Sequence, residues 1–263
     1  LEERCRQDGY TLVIASSNDQ SDEDSALLRM LINRGVDGMF IVVADEMHQS
    51  DELLSILSAE NSVPFVMVSR AYKDFKCDKV GFDDELGGYL ATKYLLEKGH
   101  KEIGLIVNTK TSYSGQKRYK GYIKAMVEHR FPIQREYVVE STGSSLNGYF
   151  SMKKLLGTGV TAIFVAGDNM AIGVLKCLNE QHMSVPSDYS LVSYGNIYAD
   201  LLFKPTLTSV DEDIERLSDE AFLTLMKRRA EPQGDPQDIV LVPKLSIGKS
   251  VTSFAKKNVF RLL

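Results

Sequence analysis

Cysteine is scarce, with three residues in 263, at positions 5, 77 and 177. An odd number at wide spacing offers no disulfide framework and no metal or redox motif, and it fits a reducing compartment such as the cytoplasm. No apolar run approaches membrane-spanning length and no signal peptide is visible. The chain starts at Leu1 without a methionine, so a preceding piece is expected. Positive charge is in deficit too. The formal net charge is −5, and the densest basic clusters are 227–229 and 256–257. The first of these closes a predicted helix, where cations complement the dipole. A chain of this kind does not hold nucleic acid by itself. Catalytic signatures are missing: there is no phosphate-binding loop, no G-x-G-x-x-G after a strand, no H-E-x-x-H and no G-x-S-x-G elbow. Four histidines, His48, His100, His129 and His182, show no paired metal spacing. No metal, no cofactor and no enzyme activity are expected.

What is present is regular alternation of helix and strand. The stretch 161–173, TAIFVAGDNMAIG, opens with a short apolar run bounded by Gly157, Gly159 and Gly167, as a strand buried on both faces does. Asp168 then stands where an N-cap belongs, ahead of Met170, Ala171, Ile172, Val174 and Leu175 on a helix. Gly167 and Asp168 thus fall at the carboxyl edge of a parallel sheet, where open α/β folds bind small ligands. Strands are expected at 10–15, 36–43, 64–68, 79–82, 102–107, 137–140, 162–166, 189–194, 238–242 and 245–248. Helices are expected at 1–8, 22–34, 51–60, 84–98, 116–129 and 146–156, after Asp168, and from Ile214 onward. The alternation means parallel sheets with helices on both faces.

A doubly wound sheet of this length rarely stays single, so the fold class is α/β with two similar doubly wound lobes joined by three crossovers. The crossovers are placed near Asn108, near Val210 and around 234–238. The lobes are then 1–107 plus 211–236, and 108–210 plus 237–263. The helix closed by Gly9 should itself follow a strand, so the first strand of the fold is expected to lie upstream.

Several segments carry a resemblance when taken in order: GYTLVIASS, RGVDGMFIV, VGFDDELGGYLATKYLLEKGHKEIGLI, RYKGYIKAM, AIFVAGDNMAIGVL, VPSDYSLVSYGN and KPTLTSV. Together they resemble the effector-binding core of LacI/GalR-type bacterial transcriptional repressors, which shares its fold with periplasmic sugar-binding proteins. The likeness runs from about Leu1 to Val251. It implies a periplasmic-binding-protein type I fold whose lobes close over a small-molecule effector, a sugar or related metabolite. It also implies a homodimer in the cytoplasm, with no membrane partner. Operator DNA would be contacted only through an amino-terminal helix-turn-helix to which nothing here corresponds.

Carried over residue by residue, the resemblance makes Arg118 of RYKG the arginine that hydrogen-bonds a polar ligand, its planar fork suited to two oxygens. Asp168 matches the aspartate of the strand-to-helix turn, and a plain N-cap is its rival role. At the equivalent edge of the first lobe stand Asp83 and Asp84, one of them a cap and one facing ligand. Ser112 and Ser114 fall in a loop where relatives place ligand contacts, and most loop serines do nothing of the kind. Glu212 falls at a crossover position that in relatives can touch ligand, although a solvated first-turn glutamate is the plainer reading. Two departures stand out. Gly195 of SYGN replaces the family aspartate that grips sugar hydroxyls, leaving Asn196 as a partial substitute. Gly143 and Ser144 stand where a stacking aromatic is common. Both weaken the case for an ordinary hexose. His100, directly after Gly99, is read as a structural helix-end residue. The alternative function is a periplasmic solute-binding protein of a sugar transporter, on the same fold.

Overall fold

The computed structural model describes residues 1–18, 20–44, 46, 50–59, 63–196 and 205–254. Its elements, in chain order, begin with α1 (Glu2–Gln7), α2 (Ser21–Asn33), β1 (Met39–Ile41), α3 (Asp51–Leu57), β2 (Phe65–Val68) and β3 (Lys79–Phe82). Then come α4 (Asp84–Glu97), β4 (Ile103–Val107), α5 (Tyr113–Glu128), β5 (Val138–Glu140), α6 (Ser145–Leu155), β6 (Ala162–Val165) and α7 (Asp168–Glu180). The last are β7 (Ser190–Gly195), β8 (Thr208–Asp211), α8 (Ile214–Ala230), β9 (Asp238–Leu241) and β10 (Lys244–Ser246).

These elements divide into two compact units. The first is Leu1–Phe82 with Asp213–Leu241, and the second is Asp83–Glu212 with the chain from Val242 onward. The first unit holds a four-stranded parallel sheet in the order β1-β2-β3-β9. Successive side chains of β2 point to opposite faces. Phe65 and Met67 join Leu28, Leu53 and Leu57 from α2 and α3, while Val66 and Val68 meet Leu217, Ala221 and Leu225 of α8. Helices cover both faces, as a parallel sheet requires.

The second unit repeats the plan on six strands, β10-β8-β7-β6-β4-β5, parallel throughout except for β10 against β8. Ile163 and Val165 of β6 bury with Met152, Leu155, Val174 and Leu178 of α6 and α7. Ala162 and Phe164, on the other face, bury with Ala91, Leu95, Tyr122 and Met126 of α4 and α5.

The lobe boundaries differ from the sequence expectation. Residues 83–107 belong to the second unit, because β4 hydrogen-bonds to β5 and β6. β9 belongs to the first unit, because all four of its residues pair with β3. The chain therefore passes between units at Phe82/Asp83, Glu212/Asp213 and Leu241/Val242. Periodicity reveals that a segment is a strand; it does not reveal which sheet receives it.

Residues 10–15 were expected as a strand and carry no sheet pairing, with Val13 53% and Ile14 82% exposed. The alternating pattern suits a strand, but a strand exists only against a partner edge. A cavity of about 170 Å³ lies beside this segment, lined by Leu12, Met39, Phe40, Phe222 and Leu225 among others. The first-lobe strand expected at 36–43 is limited to Met39–Ile41, and the helix expected from 116 begins at Tyr113. The expected packing of Phe260, Leu262 and Leu263 falls outside the described residues, as does His48.

Candidate functional site

The carboxyl edge of the second sheet gathers a buried ionic network. Its centre is Arg118, one and a half turns into α5. Ser112 starts that helix by accepting the Gly115 N–H at 2.9 Å, the N-cap bond that fixes where the helix begins. Gly121, one turn after the arginine, lies so close to α4 that a Cβ there would stand 2.1 Å from the Glu85 carbonyl oxygen. Backbone contact of this kind brings the side chains of the two helices within reach of each other.

Three of the five guanidinium N–H groups are committed. Nε donates to Asp84 Oδ1 at 2.8 Å, Nη1 to the Ala166 carbonyl at 3.0 Å and Nη2 to Glu212 Oε1 at 3.3 Å. The guanidinium carbon lies 3.5 Å from the centroid of the Tyr194 ring, and the Tyr194 hydroxyl donates to the same Asp84 oxygen at 3.1 Å. Side-chain exposure is 16% for Arg118, 8% for Asp84 and 13% for Glu212. These are ion pairs shielded from water, in which each charge depends on its partner.

The electrostatics follow from that shielding. Burial works against the charge of Arg118, but Asp84, Tyr194 and Glu212 more than offset it and raise its pKa. The Glu212 carboxyl is raised to about 7, first by burial; Arg118 pulls it down, while Asp84, Asp168 and Asp211 add to the rise. The Tyr194 hydroxyl is driven well up by burial, against the pull of Arg118.

The structure sorts the candidate residues by position. Asp83 is the cap of α4, accepting the Leu86 N–H at 2.9 Å, and Asp84 is the one turned to Arg118. Asp168 is not the cap of α7: Gly167 takes that place and Asp168 is the first helical residue, 7% exposed. Ser112 is a cap, and Ser114 is a buried residue of the first turn of α5, so neither belongs to an irregular loop. Glu212 is not a solvated glutamate but the second carboxylate on Arg118. Asn196 sits at the end of β7 with φ +58, its N–H on Ser209 Oγ at 3.1 Å and its Oδ1 buried with no hydrogen-bond partner.

Gly195 explains the missing aspartate. Its φ is +126, and a Cβ placed on it would meet Asp168 Oδ2 at 2.9 Å. The room for a side chain at 195 is filled by the neighbouring carboxylate, so an acidic residue there would face both backbone strain and like-charge repulsion.

One participant escaped the sequence reading. Tyr194 lies in an apolar strand, where alternation predicts burial but not a cation above the ring. Ser141 follows β5, 4% exposed, with Oγ unpaired and its N–H on Val107 O at 2.8 Å. His100 is structural as expected, though by another route. Its ring lies 2.9 Å from both Thr161 Oγ1 and the Thr252 carbonyl, which places the proton on Nε2. Among the described residues no group of side chains forms a metal site, and no helix is long and apolar enough to cross a membrane.

Comparison with known proteins points one way. The periplasmic binding protein-like domain family matches residues 92–251. An HTH-type transcriptional repressor PurR of Yersinia pestis bv. Antiqua is 33% identical over 259 residues, covering 95% of this chain and 74% of the repressor. Among solved structures, a LacI family transcriptional regulator from Enterococcus faecium with bound ribose superposes with a TM-score of 0.84 at 25% identity, covering 96% of this chain and 91% of that one. A complex of the transcriptional regulator CelR with cellobiose gives 0.82 at 26% identity, covering 93% and 75%. The relatives are repressors, which favours a regulator over a transport protein. The chain belongs to the LacI family of transcriptional regulators, of which it is a periplasmic-binding-protein-like effector-binding core.

Proposed function

We propose that this core binds a small polar effector at the carboxyl edge of the second unit's sheet, and that the bound state alters how a transcriptional regulator engages its operator. The observation that carries the reading is the half-committed guanidinium of Arg118. One N–H on each of Nη1 and Nη2 is left over after the three bonds it makes, and the side chain keeps 16% exposure. Two N–H groups on one planar fork suit a pair of ligand oxygens. Asp84 and Glu212 each offer a further oxygen to a hydroxyl donor. Asp168 and Asn196 supply the rest of the polar rim, with Ser112 and Asp83 capping the helices around it and Ser114 buried in the first turn of α5. Ribose and cellobiose, bound by structurally similar regulators, set the ligand scale.

The regulator acts as a cytoplasmic homodimer without catalysis, and contacts operator DNA through a helix-turn-helix of the kind that gives the repressor relatives their name. Effector and operator are then linked by differential binding to two states. Isothermal titration calorimetry with pentoses, hexoses, cellobiose and nucleosides tests the sensing function. Saturable binding without turnover is the expected result. Binding that survives unchanged in the variant Arg118→Lys, which keeps the charge but loses the fork, removes Arg118 from the site. Sedimentation at micromolar concentration tests the dimer, and a monomer counts against the repressor reading.

A further inference from the structure

Hydrogen-bonding capacity alone suits a neutral polyol; charge balance does not. Two carboxylates, Asp84 and Glu212, grip one guanidinium, and all three side chains are at least 84% shielded from water. Buried charge without a counter-charge is costly, and whenever Glu212 is ionised one negative charge of this trio is left over. Acceptors are in surplus as well. Asp84 Oδ1 takes both Arg118 and Tyr194, so Oδ2 has no donor among the described residues; Glu212 Oε2 has none either. Asn196 Oδ1, at the end of β7, is buried and unpartnered. Against the two spare N–H groups of Arg118, three oxygens stand without a donor, so acceptors remain in excess.

From this we infer that the effector of this core is a small sugar-like or polyol molecule bearing one protonated amine, recognised by Asp84, Glu212 and Asn196, with Arg118 holding the hydroxyl end. The inference rests on the effector-binding reading above and names its ligand class. An ammonium carries three donors and no acceptor, which is what oxygens without a donor call for. An anionic ligand would meet the two carboxylates and be repelled, whatever Arg118 offers.

Binding has a second signature. Glu212 is faced by Arg118 from α5, Asp84 from α4, Asp168 from α7, Tyr194 from β7 and Asp211 on its own strand. With its carboxyl pushed up to about 7, it is partly protonated at neutral pH. An arriving ammonium favours the ionised form, so at pH 7 binding releases up to about half a proton into the buffer.

The test pairs each amine with its neutral and anionic twin: glucosamine with glucose and glucose 6-phosphate, and 1-amino-1-deoxysorbitol with sorbitol. Calorimetry is run at pH 7 in two buffers of different ionisation enthalpy. The expected result is a Kd about tenfold tighter for the amine than for its neutral twin, as charge-assisted bonds allow. Proton release should accompany binding of the amine only. Glu212→Gln and Asp84→Asn should each bring the two Kd values together, and Glu212→Gln should abolish the buffer dependence. Circular dichroism melts confirm that both variants are folded. Neutral sugars binding as tightly as their amines, or a phosphate binding best, overturns the cationic class and leaves effector sensing standing. Silence from every amine overturns it too, and effector sensing is then judged on the neutral panel alone.

Discussion

The backbone of Gly88 lies against that of Arg118 so closely that a Cβ on the glycine would stand 2.2 Å from the arginine carbonyl oxygen. Gly121 and Glu85 repeat the contact from the other helix. Helices α4 and α5 thus touch backbone to backbone, and this approach places the guanidinium beside Asp84. α6 and α7 repeat the device, with Gly148 against the Met170 carbonyl and Gly173 against that of Ser145. The ionic network is therefore a consequence of helix packing as much as of charge.

Gly121→Ala tests that dependence. Alanine favours an isolated helix by about 1 kcal/mol over glycine. Here the added methyl must push α4 away, and overpacking of this kind costs about 1–3 kcal/mol or more. Urea denaturation should show a lower midpoint despite the better helix former. An unchanged midpoint would mean the helices separate freely.

Arg118→Ala should lower stability even without ligand. Removing one member of a buried ion pair leaves Asp84 and Glu212 uncompensated, at a cost of about 3–5 kcal/mol. For a chain of this size the melting temperature should fall on the order of 10 °C. A variant that melts with the parent would show that the network contributes nothing to folding.

The pH dependence of stability should carry the mark of Glu212. Its folded pKa, about 7, lies above the ordinary 4.5, so the folded chain holds this proton more tightly than the unfolded one. The stability this confers is fully present below about pH 4.5 and is lost as pH rises through 7, by up to about 3 kcal/mol. Glu212→Gln should flatten the decline in melting temperature between pH 5 and 8. Parallel pH profiles for parent and variant would contradict the assignment.

His100→Ala should destabilise by about 2–3 kcal/mol, through a lost buried side chain and two lost hydrogen bonds. The ring joins the start of β6 to the segment at Thr252 and makes no contact with Arg118, Asp84 or Glu212. Ligand Kd should therefore hold while the denaturation midpoint falls; a changed Kd at unchanged stability would reverse that assignment.

The strand-to-helix turn at 166–168, the helix carrying Arg118 and the stops at Gly35 and Gly99 were legible because side-chain period and glycine placement are local properties of a few consecutive residues. The pair Asp83–Asp84 shows where legibility ends. Two adjacent aspartates at a helix start can exchange roles, and only the neighbouring α5 decides which one turns toward a cation. Glu212 is a sharper case, since it lies 94 positions from Arg118 and nothing around it in the chain announces a partner. Residues 10–15 show the converse: a strand pattern that pairs with no sheet.

By itself the amino-acid sequence determined the alternation of helix and strand, the doubly wound class and the family, because 2.0- and 3.6-residue periods and glycine punctuation act over short distances. The tertiary structure alone decided that β4 joins the second sheet and β9 the first, that Gly195 yields its space to Asp168, and that Arg118 is already engaged by two carboxylates. Those outcomes depend on contacts between residues far apart in the chain, where burial and charge act together and no local pattern records the result.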